Sequence, residues 1–160
     1  AFADLDAAAS VAAQAEGGLV ALRSFGKFYG LPGLRLGFAV TDPATATAIA
    51  DALGPWPVSS LAADIGAAAL ADRPWQDETR TWLSESAGRL DTLLTAAGFD
   101  IVGGTDLYRL AARNDVMRFY ETLGRAGVYV RMFPAQPSWL RFGLPGTDEH
   151  WTRLEKVLLP

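Results

Sequence analysis

Cysteine is absent from the 160 residues, histidine occurs once, and lysine occurs only at positions 27 and 156. Without cysteine there are no disulfides and no thiolate metal sites. The lone His150 has no carboxylate partners at metal-ligand spacing. Charge is sparse at 20% of residues, with 14 basic against 18 acidic side chains and a net charge of −4. The arginines are scattered and form no basic run, which argues against a general nucleic-acid or membrane-surface binder. No apolar stretch reaches the roughly 18 residues of a membrane span; the longest candidate, 61–71, is interrupted by Asp64 and Gly66. A cytoplasmic location is the expectation. What remains is a globular composition, 50% hydrophobic with an alanine bias and no internal repeat, enough for one domain or parts of two.

The chain reads as alternating strands and helices. Leu19 to Arg23 follows Gly17-Gly18 as a short apolar run that predicts a buried strand. Residues 24–33 hold three glycines and a proline and predict an irregular loop, after which Arg35 to Val40 predicts a second strand. Asp42 or Thr41, with Pro43 behind it, starts a helix that stops at Gly54-Pro55. Ser59 or Ser60 caps a helix to about Asp72. Pro74 opens a longer one, closed by Gly98, in which Trp75, Thr79, Trp82, Leu83, Leu90, Leu93 and Leu94 recur at helical spacing. Strands are predicted at 99–102, 107–110, 128–132 and 140–144, with a helix over 115–126 between the middle pair. Thr147 caps a last helix with Asp148 and Glu149 in its first turn.

The most informative segment is Leu22-Arg23-Ser24-Phe25-Gly26-Lys27-Phe28-Tyr29-Gly30-Leu31-Pro32-Gly33-Leu34-Arg35-Leu36-Gly37-Phe38. It places a hydroxyl, a primary amine and a guanidinium in an apolar, glycine-punctuated stretch. Apart from Lys156, this chain uses arginine for positive charge elsewhere, so Lys27 stands out as chosen for its amine. An amine condenses with an aldehyde; a guanidinium does not serve that role. Ser24-x-x-Lys27 also matches the Ser-x-x-Lys of penicillin-recognising enzymes. The companion Ser-Asp-Asn and Lys-Thr-Gly motifs do not occur, however, and the surrounding glycines and Pro32 oppose the helix that motif needs. The glycines do not follow a strand as Gly-x-Gly-x-x-Gly, so no dinucleotide site is proposed.

This segment resembles the cofactor-lysine region of the pyridoxal-phosphate enzymes of the aspartate aminotransferase fold. Three further phrases, Gly54-Pro55-Trp56-Pro57-Val58-Ser59, Val102-Gly103-Gly104-Thr105 and Trp139-Leu140-Arg141-Phe142-Gly143-Leu144-Pro145-Gly146, resemble the branch that holds histidinol-phosphate aminotransferases and threonine-phosphate decarboxylases. The resemblance implies an α/β fold: the C-terminal remnant of a large cofactor domain at 1–55, a connecting segment at 56–74, and a small α/β domain with a short mixed sheet at 75–160. It implies pyridoxal 5'-phosphate as cofactor, with Lys27 as the lysine that condenses with it and Ser24 and Arg35 on its phosphate. It implies Arg141 on the substrate carboxylate and Arg131 on the substrate phosphate. Ala1-Phe2 fits the end of an Asp-x-Ala-Tyr strand, which would put the Asp two residues before Ala1 and replaces the tyrosine hydroxyl with Phe2. The chain is therefore expected to be a C-terminal fragment of such an enzyme.

The implied chemistry is decarboxylation of L-threonine O-3-phosphate for cobalamin assembly by a homodimer. Transamination, as of histidinol phosphate, and an inactive truncated domain are the alternatives. Read without the resemblance, Arg131 and Arg141 are solvent-facing strand arginines, with Arg131 sharing a face with Tyr129 and Phe133, and Arg141 with Trp139 and Gly143. Arg23 reads as one half of an ion pair, Trp56 as a core anchor at a domain junction, and His150 as surface.

Overall fold

The computed structural model describes residues 11–159 apart from Glu16; the reading of Ala1-Phe2 falls outside them. The chain divides into two compact units between Glu78 and Thr79.

In the first unit a 3-10 turn at Val11–Gln14 precedes β1 (Ala21–Ser24), which pairs antiparallel with β2 (Gly37–Val40) in the register Ala21↔Val40 to Ser24↔Gly37. The first strand is not buried as expected: Ala21 is buried, but Leu22 is 65% exposed. A two-stranded ladder leaves most of each strand uncovered, because no third strand flanks it among the described residues. The second strand starts at Gly37, two residues later than the expected Arg35. Arg35 instead closes a 3-10 turn (Pro32–Leu34) in the left-handed conformation, φ 54°.

Helix α1 (Pro43–Leu53) starts where Asp42 accepts hydrogen bonds from the Thr45 N–H at 2.9 Å and hydroxyl at 2.8 Å. These bonds hold the Asp42 carboxyl below its ordinary value of 3.8, the Thr45 backbone bond contributing most. The helix ends at Gly54, φ 71°. Helix α2 (Ser60–Ala71) is capped by the Ser59 side chain. It packs through Gly66, where a β-carbon would sit 2.3 Å from the end of Leu36 and 3.6 Å from Phe25. The absence of a side chain lets the helix approach the loop between β1 and β2 closely.

Helix α3 (Arg73–Ala96) starts in the first unit. The Asp72 carboxylate accepts from the Trp75 N–H at 3.1 Å, and Gln76, only 2% exposed, donates through Nε2 to the Ala69 and Leu70 carbonyls at 3.0 and 3.1 Å. A buried amide with both protons satisfied fixes the α2–α3 corner.

In the second unit α3 delivers Leu83, Leu90, Leu93 and Leu94 to the core at the expected helical spacing, while Trp82 stays exposed. It closes at Gly98, φ 77°, with the Phe99 N–H donating to Leu94. That carbonyl satisfaction is the role a left-handed glycine plays after a helix. A four-stranded sheet follows in the order β3-β4-β6-β5, built from β3 (Asp100–Thr105), β4 (Tyr108–Ala112), β5 (Arg131–Met132) and β6 (Trp139–Gly143). All three ladders are antiparallel, where a mixed sheet was expected.

Helix α4 (Val116–Arg125) lies between β4 and β5. The fifth strand is shorter than the predicted 128–132, because Gly127 (φ 72°) and the Val128 N–H, bonded to the Leu123 carbonyl, still terminate α4. Helix α5 (Asp148–Leu158) is capped by Thr147, whose hydroxyl oxygen accepts from the His150 N–H. One face of the sheet, with Ala111, Leu140 and Phe142, packs with Leu90, Leu94, Leu123, Trp151 and Leu154 into one core. Among the described residues no helix is long and apolar enough to cross a membrane.

Candidate functional site

The loop from Ser24 to Leu36 is closed by backbone hydrogen bonds. The Phe25 N–H donates to the Leu36 carbonyl at 3.4 Å, and the Leu31 N–H donates to the Phe25 carbonyl at 2.9 Å. The Gly30 N–H donates to the Lys27 carbonyl at 3.0 Å. Gly30 takes φ 64°, which a side chain would oppose. Lys27 thus heads a closed turn with its backbone carbonyl engaged and its side chain exposed.

Ser24 ends β1 opposite Gly37, and Arg35 lies two residues before that partner, so both belong to the segment at one end of the ladder. The Ser24 Oγ accepts from the Gly26 N–H at 3.0 Å, which leaves its own O–H to donate. Arg35 Nη1 donates to the Pro32 carbonyl at 3.0 Å. A non-glycine residue in the left-handed region costs about 1 kcal/mol or more. Here the loop bonds and the ladder hold it, with the guanidinium exposed at the ladder end. A hydroxyl and a guanidinium are the donor types that bind anions, and Lys27 lies in the loop between the two residues that carry them.

Arg131 and Arg141 come together in the second unit. They are register partners across β5 and β6, so both side chains leave the same face of the sheet, opposite Leu140 and Phe142. The sequence placed each among its own neighbours but held no register to reveal the pairing. The guanidinium of Arg141 lies 4.5 Å over the Tyr108 ring and that of Arg131 lies 5.7 Å over the Phe133 ring. The two like charges are thereby drawn toward separate π faces. Such an arrangement suits a ligand with two anionic groups. Tyr108, a ring partner on a neighbouring strand, carried no signal of its own in the sequence.

Arg23 is half-buried in β1 opposite Phe38. Trp56 is not a core anchor: it is 92% exposed with φ 66° in the turn after Gly54. His150 is exposed, as expected. No group of three His, Cys, Asp or Glu that would hold a metal occurs among the described residues.

A family model described as aminotransferase class I and II matches residues 1–158. The chain is 39% identical over 142 residues to a threonine-phosphate decarboxylase of Pseudomonas aeruginosa, covering 89% of this chain and 43% of that protein. It is 29% identical over 147 residues to a histidinol-phosphate aminotransferase of Nitratidesulfovibrio vulgaris, covering 89% of this chain and 39% of that one. The crystal structure of histidinol-phosphate aminotransferase from Sinorhizobium meliloti in complex with pyridoxal-5'-phosphate superposes with a TM-score of 0.75 at 20% identity, over 87% of this chain and 40% of that one. At that identity the likeness concerns the fold. The chain thus spans about two fifths of the length of the curated relatives it matches.

Proposed function

The chain belongs to the aminotransferase class I and II family, and on that premise we propose that it supplies the lysine-bearing and substrate-gripping portion of a pyridoxal-phosphate-dependent decarboxylase acting on L-threonine O-3-phosphate. The observation that carries this reading is the closed turn headed by Lys27, with Ser24 and Arg35 at its ladder end. The donor set fits the cofactor: an amine for the aldehyde, and a hydroxyl and a guanidinium for the phosphate. When bound, pyridoxal 5'-phosphate supplies a conjugated ring that withdraws electron density from the substrate α-carbon.

The chain's own residues do the rest. Ser24 donates its O–H and Arg35 its guanidinium N–H groups to the phosphate. Arg141 holds the substrate carboxylate and its cross-strand neighbour Arg131 holds the substrate phosphate, a division that two splayed guanidiniums suit. The carboxylate leaves as carbon dioxide when the bond to the α-carbon breaks, and Lys27 returns a proton to that carbon. The product is aminopropanol phosphate, a unit for cobalamin assembly. The working form in this reading is a cytoplasmic homodimer.

Transamination of a substrate such as histidinol phosphate is the second reading, supported by the Nitratidesulfovibrio relative. There Lys27 removes and returns the α-proton and no carbon leaves. In a third reading the 160 residues do not catalyse by themselves; the exposure of Ser24, Lys27 and Arg35 favours it.

The deciding experiment supplies cofactor and L-threonine O-3-phosphate and measures released carbon dioxide, in parallel with amino transfer from glutamate. Carbon dioxide that disappears in Lys27→Ala supports decarboxylation. Amino transfer without carbon dioxide rejects it in favour of the aminotransferase, and neither product selects the third reading.

A further inference from the structure

The rings on either side of Lys27 close onto a residue almost fifty positions further along. Phe25, 2% exposed, stacks on Tyr29 with centroids 4.7 Å apart, and Tyr29 stacks on Trp75 at 5.9 Å and 15°. Phe28 meets both edge-on, Tyr29 at 5.2 Å and Trp75 at 5.6 Å. Phe28, Tyr29 and Trp75 therefore make a triangle in which every pair is in contact, at the separations aromatic pairs prefer. Trp75 is itself held: its N–H is bonded to Asp72, and the adjacent Gln76 ties the first turn of α3 to the end of α2.

The two residues after Lys27 thus lean on a tryptophan whose backbone is locked into a helical corner. The lysine stem has four rotatable carbons, so only a fixed backbone confines where its amine can reach. The loop's backbone hydrogen bonds tie the turn internally; Trp75 and Gly66 are two described points where later helices pack against it from outside. Of these, only Trp75 reaches the residues directly after the lysine.

We propose that Trp75 is a positioning residue for Lys27, acting through Phe28 and Tyr29 to hold the amine where an aldehyde bound at the Ser24–Arg35 end meets it. This rests on the reading of Lys27 given above. The chain provides its own control, since Lys156, exposed in α5, is the other lysine.

The test exposes the 160-residue chain to pyridoxal 5'-phosphate, traps the adducts with borohydride and quantifies modified Lys27 and Lys156 peptides by mass spectrometry. In the unaltered chain Lys27 is modified in preference to Lys156. In Trp75→Ala the Lys27-to-Lys156 ratio falls about fivefold, the order expected from losing aromatic pair contacts, and Trp75→Phe restores it. Trp75→Leu, which keeps apolar bulk without a π face, shows the same fall while circular dichroism stays unchanged, and it decides the matter if the alanine variant unfolds. A ratio unchanged in folded Trp75→Ala or Trp75→Leu overturns the proposal while leaving the role of Lys27 intact. Equal modification of the two lysines in the unaltered chain removes the role of Lys27, and the proposal falls with it.

Discussion

Replacing Arg141 by glutamine separates a ligand-gripping arginine from a structural one. Arg141 faces Arg131 directly across β5 and β6, where like charges destabilise a strand pair by about 0.2–1 kcal/mol. Its guanidinium also rests 4.5 Å over Tyr108, worth about 0.5–1 kcal/mol near the surface. Arg141→Gln removes both effects, and their opposite signs leave a net change within about 0.5–1 kcal/mol of zero.

Ligand response behaves differently. L-threonine O-3-phosphate at ten times its dissociation constant stabilises a single site by about 1.4 kcal/mol, or roughly 3–6 °C for a chain of this size. Thermal unfolding followed by tryptophan fluorescence, with and without the ligand, is the assay. The expected outcome is a melting temperature close to that of the unaltered chain without ligand, and no upward shift with it. A variant destabilised by more than about 2 kcal/mol, beside an unaltered chain indifferent to the ligand, would falsify the assignment and make Arg141 a structural residue.

Three other outcomes test the fold around the site. Leu90 is fully buried where α3 meets the sheet, so Leu90→Ala lowers unfolding free energy by about 2–5 kcal/mol in urea titration. Thr147→Ala removes the hydroxyl that caps α5 and costs about 1 kcal/mol, recovered by Thr147→Asp. The Asp115 carboxyl is held below its ordinary value of 3.8, first by its hydrogen bond from Arg113 and then, against some desolvation, by that residue's charge. A carboxyl depressed in the folded state stabilises above its unfolded value and loses that contribution as pH falls through the folded one. Unfolding of the unaltered chain should therefore steepen below pH 3.8, and Asp115→Asn should flatten that limb; parallel acid titrations of the two would contradict this.

Which features were legible in the residues depended on the range of the interactions involved. Local chemistry was legible. Asp42, Ser59 and Thr147 cap helices because a short oxygen-bearing side chain meets a free N–H within three residues. Gly54 and Gly98 end helices because the chain there needs positive φ. The leucines of α3 reached the core because their spacing follows the helical turn. The unusual use of lysine in a glycine-rich apolar segment singled out Lys27 before any fold was known.

What sequence alone could not settle was whatever depends on a partner distant along the chain. Arg35 looked like a strand residue from its apolar neighbours, yet the 3-10 turn forces it into a left-handed conformation. Trp56 looked like a core residue from its size, but burial depends on what packs above a residue, and nothing described covers it. Register brought Arg131 opposite Arg141, and a helical corner almost fifty residues away brought Trp75 to the lysine turn. Residue types determine which chemistry is available and where helices begin and end, since those are contests between neighbouring groups. Which charges share a face and which rings pack beside the lysine turn are decided only when the chain closes on itself, because those contacts join segments whose separation no local preference encodes.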